Sequence, residues 1–125
     1  MHVVVARGGH DIDWLERHTI GWPALERRLR EWPPERAAAV CRLEVGAIRR
    51  LGERLAATRP TAIRTLLGLQ RHGGAAAAVR AICAIPAVTG DWRHVGGGFL
   101  AVTLGAVPLS VRVPAGPCRA RRRGA

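Results

Sequence analysis

The stretch best suited to binding chemistry in this chain of 125 residues is GLQRHGG, at residues 68–74. Glycines let a ligand approach the backbone closely, because they carry no side chain. The Arg71 guanidinium can form bidentate hydrogen bonds to a phosphate, and the Gln70 amide can both donate and accept hydrogen bonds. The pattern predicts a site for a phosphate-bearing ligand, and the competing interpretation is a glycine turn with no binding role.

The other reactive residue types are scattered, and they exclude several kinds of site. All 20 basic residues are arginine, and without lysine there is no P-loop, no Schiff-base nucleophile and no anchor for pyridoxal phosphate. The five histidines show no metal-ligand spacing. The three cysteines lie too far apart for a disulfide framework or for a zinc or iron–sulfur site. Ser110 lies outside the Gly-x-Ser-x-Gly setting of a serine hydrolase.

Two of the cysteines and the tryptophans are better explained as packing residues. Cys41 and Cys83 lie in apolar helical contexts, which predicts small buried side chains. The tryptophans are spread over different elements, whereas base-stacking proteins align aromatic rings on one surface. We therefore expect core or interface anchors at Trp14, Trp22, Trp32 and Trp92.

A strand and a helix flank the glycine-containing stretch. Residues 61–67 alternate β-branched side chains and predict a buried strand. Residues 75–85 predict a helix with Val79 and Ile82 facing inward, and Pro86 is expected to end it before a glycine-rich loop. In an open α/β sheet, ligands collect where strands end and helices begin. The amides that open the helix at Ala75 would favour phosphate there.

Four helices are predicted before the strand. Asp11 or Asp13 caps a short helix that runs to His18. A second helix opens at Pro23 and stops at the Trp-Pro-Pro run, and a third opens at Pro34. Residues 43–58 predict an amphipathic helix, whose buried face comprises Leu43, Ala47, Ile48, Leu51 and Leu55.

The formal charge of +11 is concentrated towards the end of the chain. Residues 111–125 hold five arginines and no acid, which leaves 15 arginines against 9 acids before them. We expect one partial α/β domain over residues 1–109 and a basic disordered tail over residues 110–125. The tail is open to three interpretations: a nucleic-acid arm, a solvated end, or the product of a reading-frame change near Ser110. No membrane span or secretory signal is visible, which favours the cytoplasm.

A succession of short motifs resembles the molybdopterin oxidoreductases, the group of DMSO reductase, biotin sulfoxide reductase and formate dehydrogenase. The likeness extends over about residues 10–109. It is carried by Trp-Pro-Pro-Glu, Arg-Pro, Gly-x-Gln-Arg-His, Pro-Ala-x-Thr-Gly-Asp and Gly-Gly-Gly, in that order. The resemblance implies a helix-rich α/β fragment with a partial open sheet and flanking helices, cut from a larger molybdopterin-binding domain.

The resemblance also implies roles for particular residues. Family members hold molybdopterin guanine dinucleotide with molybdenum, and they move oxygen atoms or electrons. By position, contact with the pterin and its phosphates falls on Leu67, Gly68, Gln70 and Arg71, with His72 adjacent. The Gly-Gly-Gly turn at residues 96–98 would return towards the cofactor. The family usually carries Thr-Gly where this chain has Cys41-Arg42.

The segments that define activity in that family have no counterpart here. There is no cysteine set for an iron–sulfur cluster and no segment that supplies a molybdenum ligand. We therefore expect a fragment of a catalytic subunit, with no catalytic residue, no metal ligand and no cofactor held by the fragment alone. Its partners would be the rest of the parent chain and the small-molecule substrate of the parent. A small arginine-rich nucleic-acid-binding protein is the alternative, although nucleic acid is the less favoured partner.

Overall fold

The computed structural model describes residues 1–71 and 73–101. In this part of the chain the helices are α1 (His2–Ala6), α2 (Ile12–His18), α3 (Trp22–Arg30), α4 (Pro34–Cys41), α5 (Val45–Ala57) and α6 (Ala75–Thr89). The strands are β1 (Ala62–Thr65) and β2 (Gly98–Ala101), and short 3₁₀ turns span Leu67–Gln70 and Asp91–Arg93. The predicted disordered tail at residues 110–125 lies outside the described residues.

The second half of the described chain is a β–α–β unit. β1 and β2 pair in parallel, from Ala62 opposite Gly98 to Thr65 opposite Ala101. Parallel neighbours need a crossover connection, and α6 supplies it while packing against both strands. The predicted fold class is confirmed: the chain is helix-rich with a small open parallel sheet. The strand at residues 61–67 is confirmed but shorter, and its side chains are exposed or half-buried rather than buried.

The core lies where the first three helices meet the C-terminal part of α6. Val4 and Val88 are fully buried there, and they pack with Leu15, Trp22 and Leu29. The predicted cap of α2 is confirmed, because the Asp11 carboxylate accepts a hydrogen bond from the Trp14 amide at 3.0 Å. α1 was not predicted, because five residues are too few to show a helical period.

α5 buries part of the apolar face that its sequence predicts. Ala47, Ile48 and Leu55 are half-buried, and Leu55 packs against the core. The prediction was wrong for Leu43, which precedes α5, and for Leu51, which are 59% and 61% exposed, because α1 packs through Val3 on Gly52 instead. Glu35 of α4 forms an ion pair with Arg49 of α5. Hydrogen bonds from the backbone and from this guanidinium hold the pKa of Glu35 below its ordinary value.

α6 continues through the proline that was expected to end it. Pro86 lies inside the helix, which runs to Thr89. A proline in a helix interior costs about 3 kcal/mol, but Pro86, Val88 and Thr89 are all buried, and their burial outweighs that cost. The glycine-rich loop predicted after Pro86 is therefore wrong in part, since it contains the last turn of α6, a 3₁₀ turn and β2.

The expectations for the cysteines and tryptophans are met only in part. Cys41, the last residue of α4, is exposed, and Cys83 is half-buried. Trp22 is a core residue, as predicted, whereas Trp92 is 45% exposed. The remaining two, Trp14 and Trp32, are half-buried, and each has an arginine guanidinium over its ring.

Candidate functional site

The glycine-containing stretch lies at the carboxyl end of β1 and directly before α6. The chain leaves β1 at Thr65, forms the 3₁₀ turn Leu67–Gln70 and enters α6 at Ala75. In a β–α–β unit this edge collects ligands, because the strand ends and the helix N-terminus point to the same place. The predicted position of residues 68–74 in the fold is confirmed.

The backbone of this stretch is open to solvent. A side chain added at Gly68, Gly73 or Gly74 would meet nothing within 4 Å. Gly74 has a φ of +79°, which turns the chain into α6, and no side chain among residues 1–71 and 73–101 caps this helix. A helix N-terminus carries about half a positive charge on its free amides. The stretch therefore presents backbone donors that an anion can approach.

The charges around the stretch favour an anionic ligand. Between Glu53 and Asp91 the sequence holds five arginines and no acid. Arg71 is exposed and forms no ion pair with a described residue, and the same holds for Arg64 and Arg80. These cations are available to a phosphate, because no acid competes for them nearby.

An unsatisfied hydroxyl lies at the start of the loop. The side-chain oxygen of Thr65 is buried and has no hydrogen-bond partner among the described residues. Thr65 lies on the sheet face that α6 packs against, so its hydroxyl is enclosed by the protein and is not open to a ligand in this structure. The open glycines, the N-terminus of α6 and Arg71 are the groups that fit a phosphate or pyrophosphate.

A shallow concavity continues from the loop along α6. Its volume is about 560 Å³, and Ala75, Ala76, Val79, Arg80 and Cys83 line it. Its walls are mostly apolar, with one guanidinium at the side. Such a surface suits a flat ring attached to an anionic group.

The predicted site residues are brought together only in part. Leu67 is half-buried and Gly68 is exposed, and both lie in the 3₁₀ turn that Gln70 ends. Arg71 follows this turn, with its amide bonded to the Gly68 carbonyl at 3.4 Å. His72 lies outside the described residues.

The Gly-Gly-Gly turn lies at the opposite edge of the sheet. Gly98 pairs with Ala62 at the start of β1, five residues before the loop at residues 67–74 begins. The expected return of residues 96–98 towards the cofactor stays a prediction. Gly97 and Gly98 permit close packing, since side chains there would collide with the Asp91 carbonyl and the Trp92 ring.

Asp91, the last residue of the Pro-Ala-x-Thr-Gly-Asp motif, has a structural role that the sequence did not predict. It is 1% exposed, and its carboxylate accepts hydrogen bonds from the Thr89 hydroxyl at 2.6 Å and the Thr61 amide at 3.1 Å. These contacts tie the end of α6 to the start of β1. Nearby, Arg93 forms an ion pair with Asp11 at 2.7 Å. The sequence does not predict these hydrogen bonds, because the partners of Asp91 are 2 and 30 residues away along the chain.

Metal and membrane chemistry find no support in the described residues. Within residues 1–71 and 73–101, no group of three or more histidines, cysteines or acids is placed to hold a metal ion. In the same part of the chain, none of the helices combines the length and apolarity needed to cross a bilayer.

Comparison with known proteins connects the chain to larger enzymes. It is 33% identical over 100 residues to the probable oxidoreductase YoaE of Bacillus subtilis. It is also 23% identical over 92 residues to the acetylene hydratase of Syntrophotalea acetylenica. The matches include 80% and 74% of this chain but only 15% and 13% of the two relatives. No family profile matches the chain.

The chain is similar to one segment of a larger oxidoreductase. This similarity supports the resemblance found in the sequence at the level of an oxidoreductase-like fragment. The narrower assignment to the DMSO reductase type stays a prediction.

Proposed function

We propose that the chain is a segment of a molybdopterin-dependent oxidoreductase and that its loop at residues 67–74 holds the phosphate part of the pterin guanine dinucleotide. The supporting observation is the loop itself at the carboxyl end of β1. It combines open glycines and the N-terminus of α6 with an exposed Arg71, and among the described residues α6 has no side-chain cap and Arg71 no ion pair. The motif succession and the 33% identity to a probable oxidoreductase agree with it.

In this proposal the residues of the chain bind and orient, and the bound group supplies the oxygen-atom or electron transfer. Arg71 binds a phosphate, and the amides that open α6 donate to its oxygens. Gln70 and Leu67 contact the pterin part, as the resemblance implies for them and for the adjacent position in the sequence, His72.

The binding role is tested on the full 125-residue chain with inorganic pyrophosphate and guanosine diphosphate as probes. Amide chemical shifts followed by NMR are expected to move at Gly68, Gly73 and Gly74, with a dissociation constant of about 1 mM or weaker. Arg71→Ala should weaken binding about tenfold, because a charge-assisted contact contributes about 1–2 kcal/mol.

Arg27→Ala is the matched control, since Arg27 is exposed on α3 and forms no ion pair with a described residue. Removing it should leave the affinity unchanged. Equal losses in the two variants would show that the anion binds by net charge alone, and they would contradict the proposed site.

Nucleic-acid binding is the second candidate, and the acid-free run of arginines between residues 54 and 90 favours it. It predicts binding to DNA or RNA that falls steeply with salt. That binding would survive Gln70→Ala and collapse when the tail arginines at residues 119 and 121–123 are replaced by alanine. Pyrophosphate binding at the loop depends on Arg71 and survives replacement of the tail arginines, so the two candidates are separable.

A further inference from the structure

One face of the β1–β2 sheet carries side chains that no described element covers. Side chains alternate along a strand, so Arg64 and Leu66 project to the face opposite Ile63 and Thr65. Leu100 lies opposite Arg64 in the sheet and shares its face. The indole of Trp92 belongs to this face as well, because a side chain at Gly98 would lie 2.8 Å from its ring. We call Arg64, Leu66, Trp92 and Leu100 the open sheet face.

This surface is apolar around a single cation. Leu66, Leu100 and Trp92 are 59%, 60% and 45% exposed. Arg64 lies among them, exposed and without an ion pair to a described residue. The side chains on the other face, which α6 packs against, are half-buried: Ile63, Thr65, Phe99 and Ala101.

Parallel sheets are normally covered on both faces, because each crossover places a helix against the strands. Here α6 covers one face, and two strands bury too little surface to be stable without further packing. The relatives that match the chain are several times longer, since the matched part makes up 15% and 13% of their lengths. A larger enzyme therefore has ample chain to supply the second layer.

We propose that the open sheet face docks an amphipathic helix from the remainder of the enzyme chain, with a carboxylate placed opposite Arg64. A helix is the usual cover of a parallel sheet. The acid follows from the charge, because a guanidinium that loses its water needs a partner to offset the cost of desolvation. The inference rests on the proposed function only in taking the chain as a segment of a larger enzyme.

The test compares the full 125-residue chain with a chimera, in which the chain replaces the matched segment of the Bacillus subtilis relative. Both are prepared without molybdate and followed by thermal unfolding. Leu100→Asp should lower the midpoint of the chimera by more than about 5 °C and that of the full chain by less than about 2 °C. Arg64→Ala should also lower the unfolding midpoint of the chimera more than that of the full chain, but by fewer degrees than Leu100→Asp. In the chimera it leaves the opposing carboxylate without a partner.

Leu43→Asp is the matched control, because Leu43 is 59% exposed on the helical side of the molecule. It should change both midpoints by less than about 2 °C. The inference is overturned if Leu100→Asp is neutral in the chimera, if it is equally harmful in the full chain, or if Leu43→Asp has the same effect. A chimera that fails to fold beside a folded parent also overturns it. Pyrophosphate binding at the loop is measured separately, so either proposal can fail alone.

Discussion

Arg42 holds a backbone conformation that suits glycine. Its φ is +54°, and it is the one residue other than glycine with a positive φ in the described part of the chain. It ends α4 in a left-handed turn, and the following amide of Leu43 closes the helix on the Ala38 carbonyl at 3.2 Å. A left-handed conformation costs a residue with a Cβ about 1–2 kcal/mol. This geometry gives a physical reason for the Thr-Gly that the resembled family usually carries at these positions.

Arg42→Gly is therefore expected to raise the free energy of unfolding by about 0.5–1 kcal/mol, since relief of the strain exceeds the entropy that glycine adds to the unfolded chain. Urea denaturation of the full chain measures it. Arg42→Ala removes the same charge but keeps the Cβ, so it should bring no gain. A similar gain in both variants would assign the effect to charge and not to backbone strain.

At the scale of elements, the contact between α1 and α5 depends on one glycine. A Cβ at Gly52 would lie 2.5 Å from the Cβ of Val3, which is itself buried. Gly46 is in the same helix, but a Cβ there would meet only the end of the flexible Arg50 side chain, at 3.1 Å. The two glycines of α5 thus differ in what surrounds them.

Opposite effects are expected from the same substitution at these two positions. Gly52→Ala should lower the free energy of unfolding by about 1–3 kcal/mol, because α1 has to move away. Gly46→Ala should raise it by up to about 0.5 kcal/mol through the better helix propensity of alanine. Chemical denaturation of both variants checks this. A stabilised Gly52→Ala chain would mean that α1 is not held against α5.

The sequence predicted which segments form helices and strands more reliably than it predicted which of their side chains are buried. Local sequence signals predicted several elements correctly, because they depend only on neighbouring residues. These are the helix cap at Asp11, the helix boundaries at the Trp-Pro-Pro run, the strand after Pro60 and the helix from Ala75. Other features depend on contacts between residues far apart in the sequence. They are the buried face of α5, the continuation of α6 through Pro86 and the hydrogen bonds that Asp91 accepts. The loop position followed from the strand–helix order, whereas the pairing of Gly98 with Ala62 depends on residues 36 positions apart and was not visible in the sequence.

At the scale of the whole molecule, the binding energy available is small compared with what a dinucleotide cofactor needs. A helix N-terminus and nearby charge contribute about 1–2 kcal/mol, whereas micromolar affinity requires about 8 kcal/mol. The concavity along α6 is open on one side and is lined by five residues of a single helix. Under the proposed function the remaining contacts would come from other parts of a larger enzyme, and the chain matches only 15% and 13% of its relatives.

The purified 125-residue chain is therefore expected to retain no molybdenum and to show no reductase turnover, even when produced in a host that makes the cofactor. Elemental analysis and a reductase assay with a reduced dye measure the two properties. An established molybdopterin enzyme, prepared in the same host, shows whether the cofactor was available. Contacts from separate domains add to the affinity only when all the domains are present. Fusing the chain to the remainder of a larger enzyme should therefore increase the amount of bound molybdenum far more than any single substitution in the loop. Molybdenum-dependent turnover by the chain alone would contradict this and would require a metal-binding site outside residues 1–71 and 73–101, where no such cluster is placed.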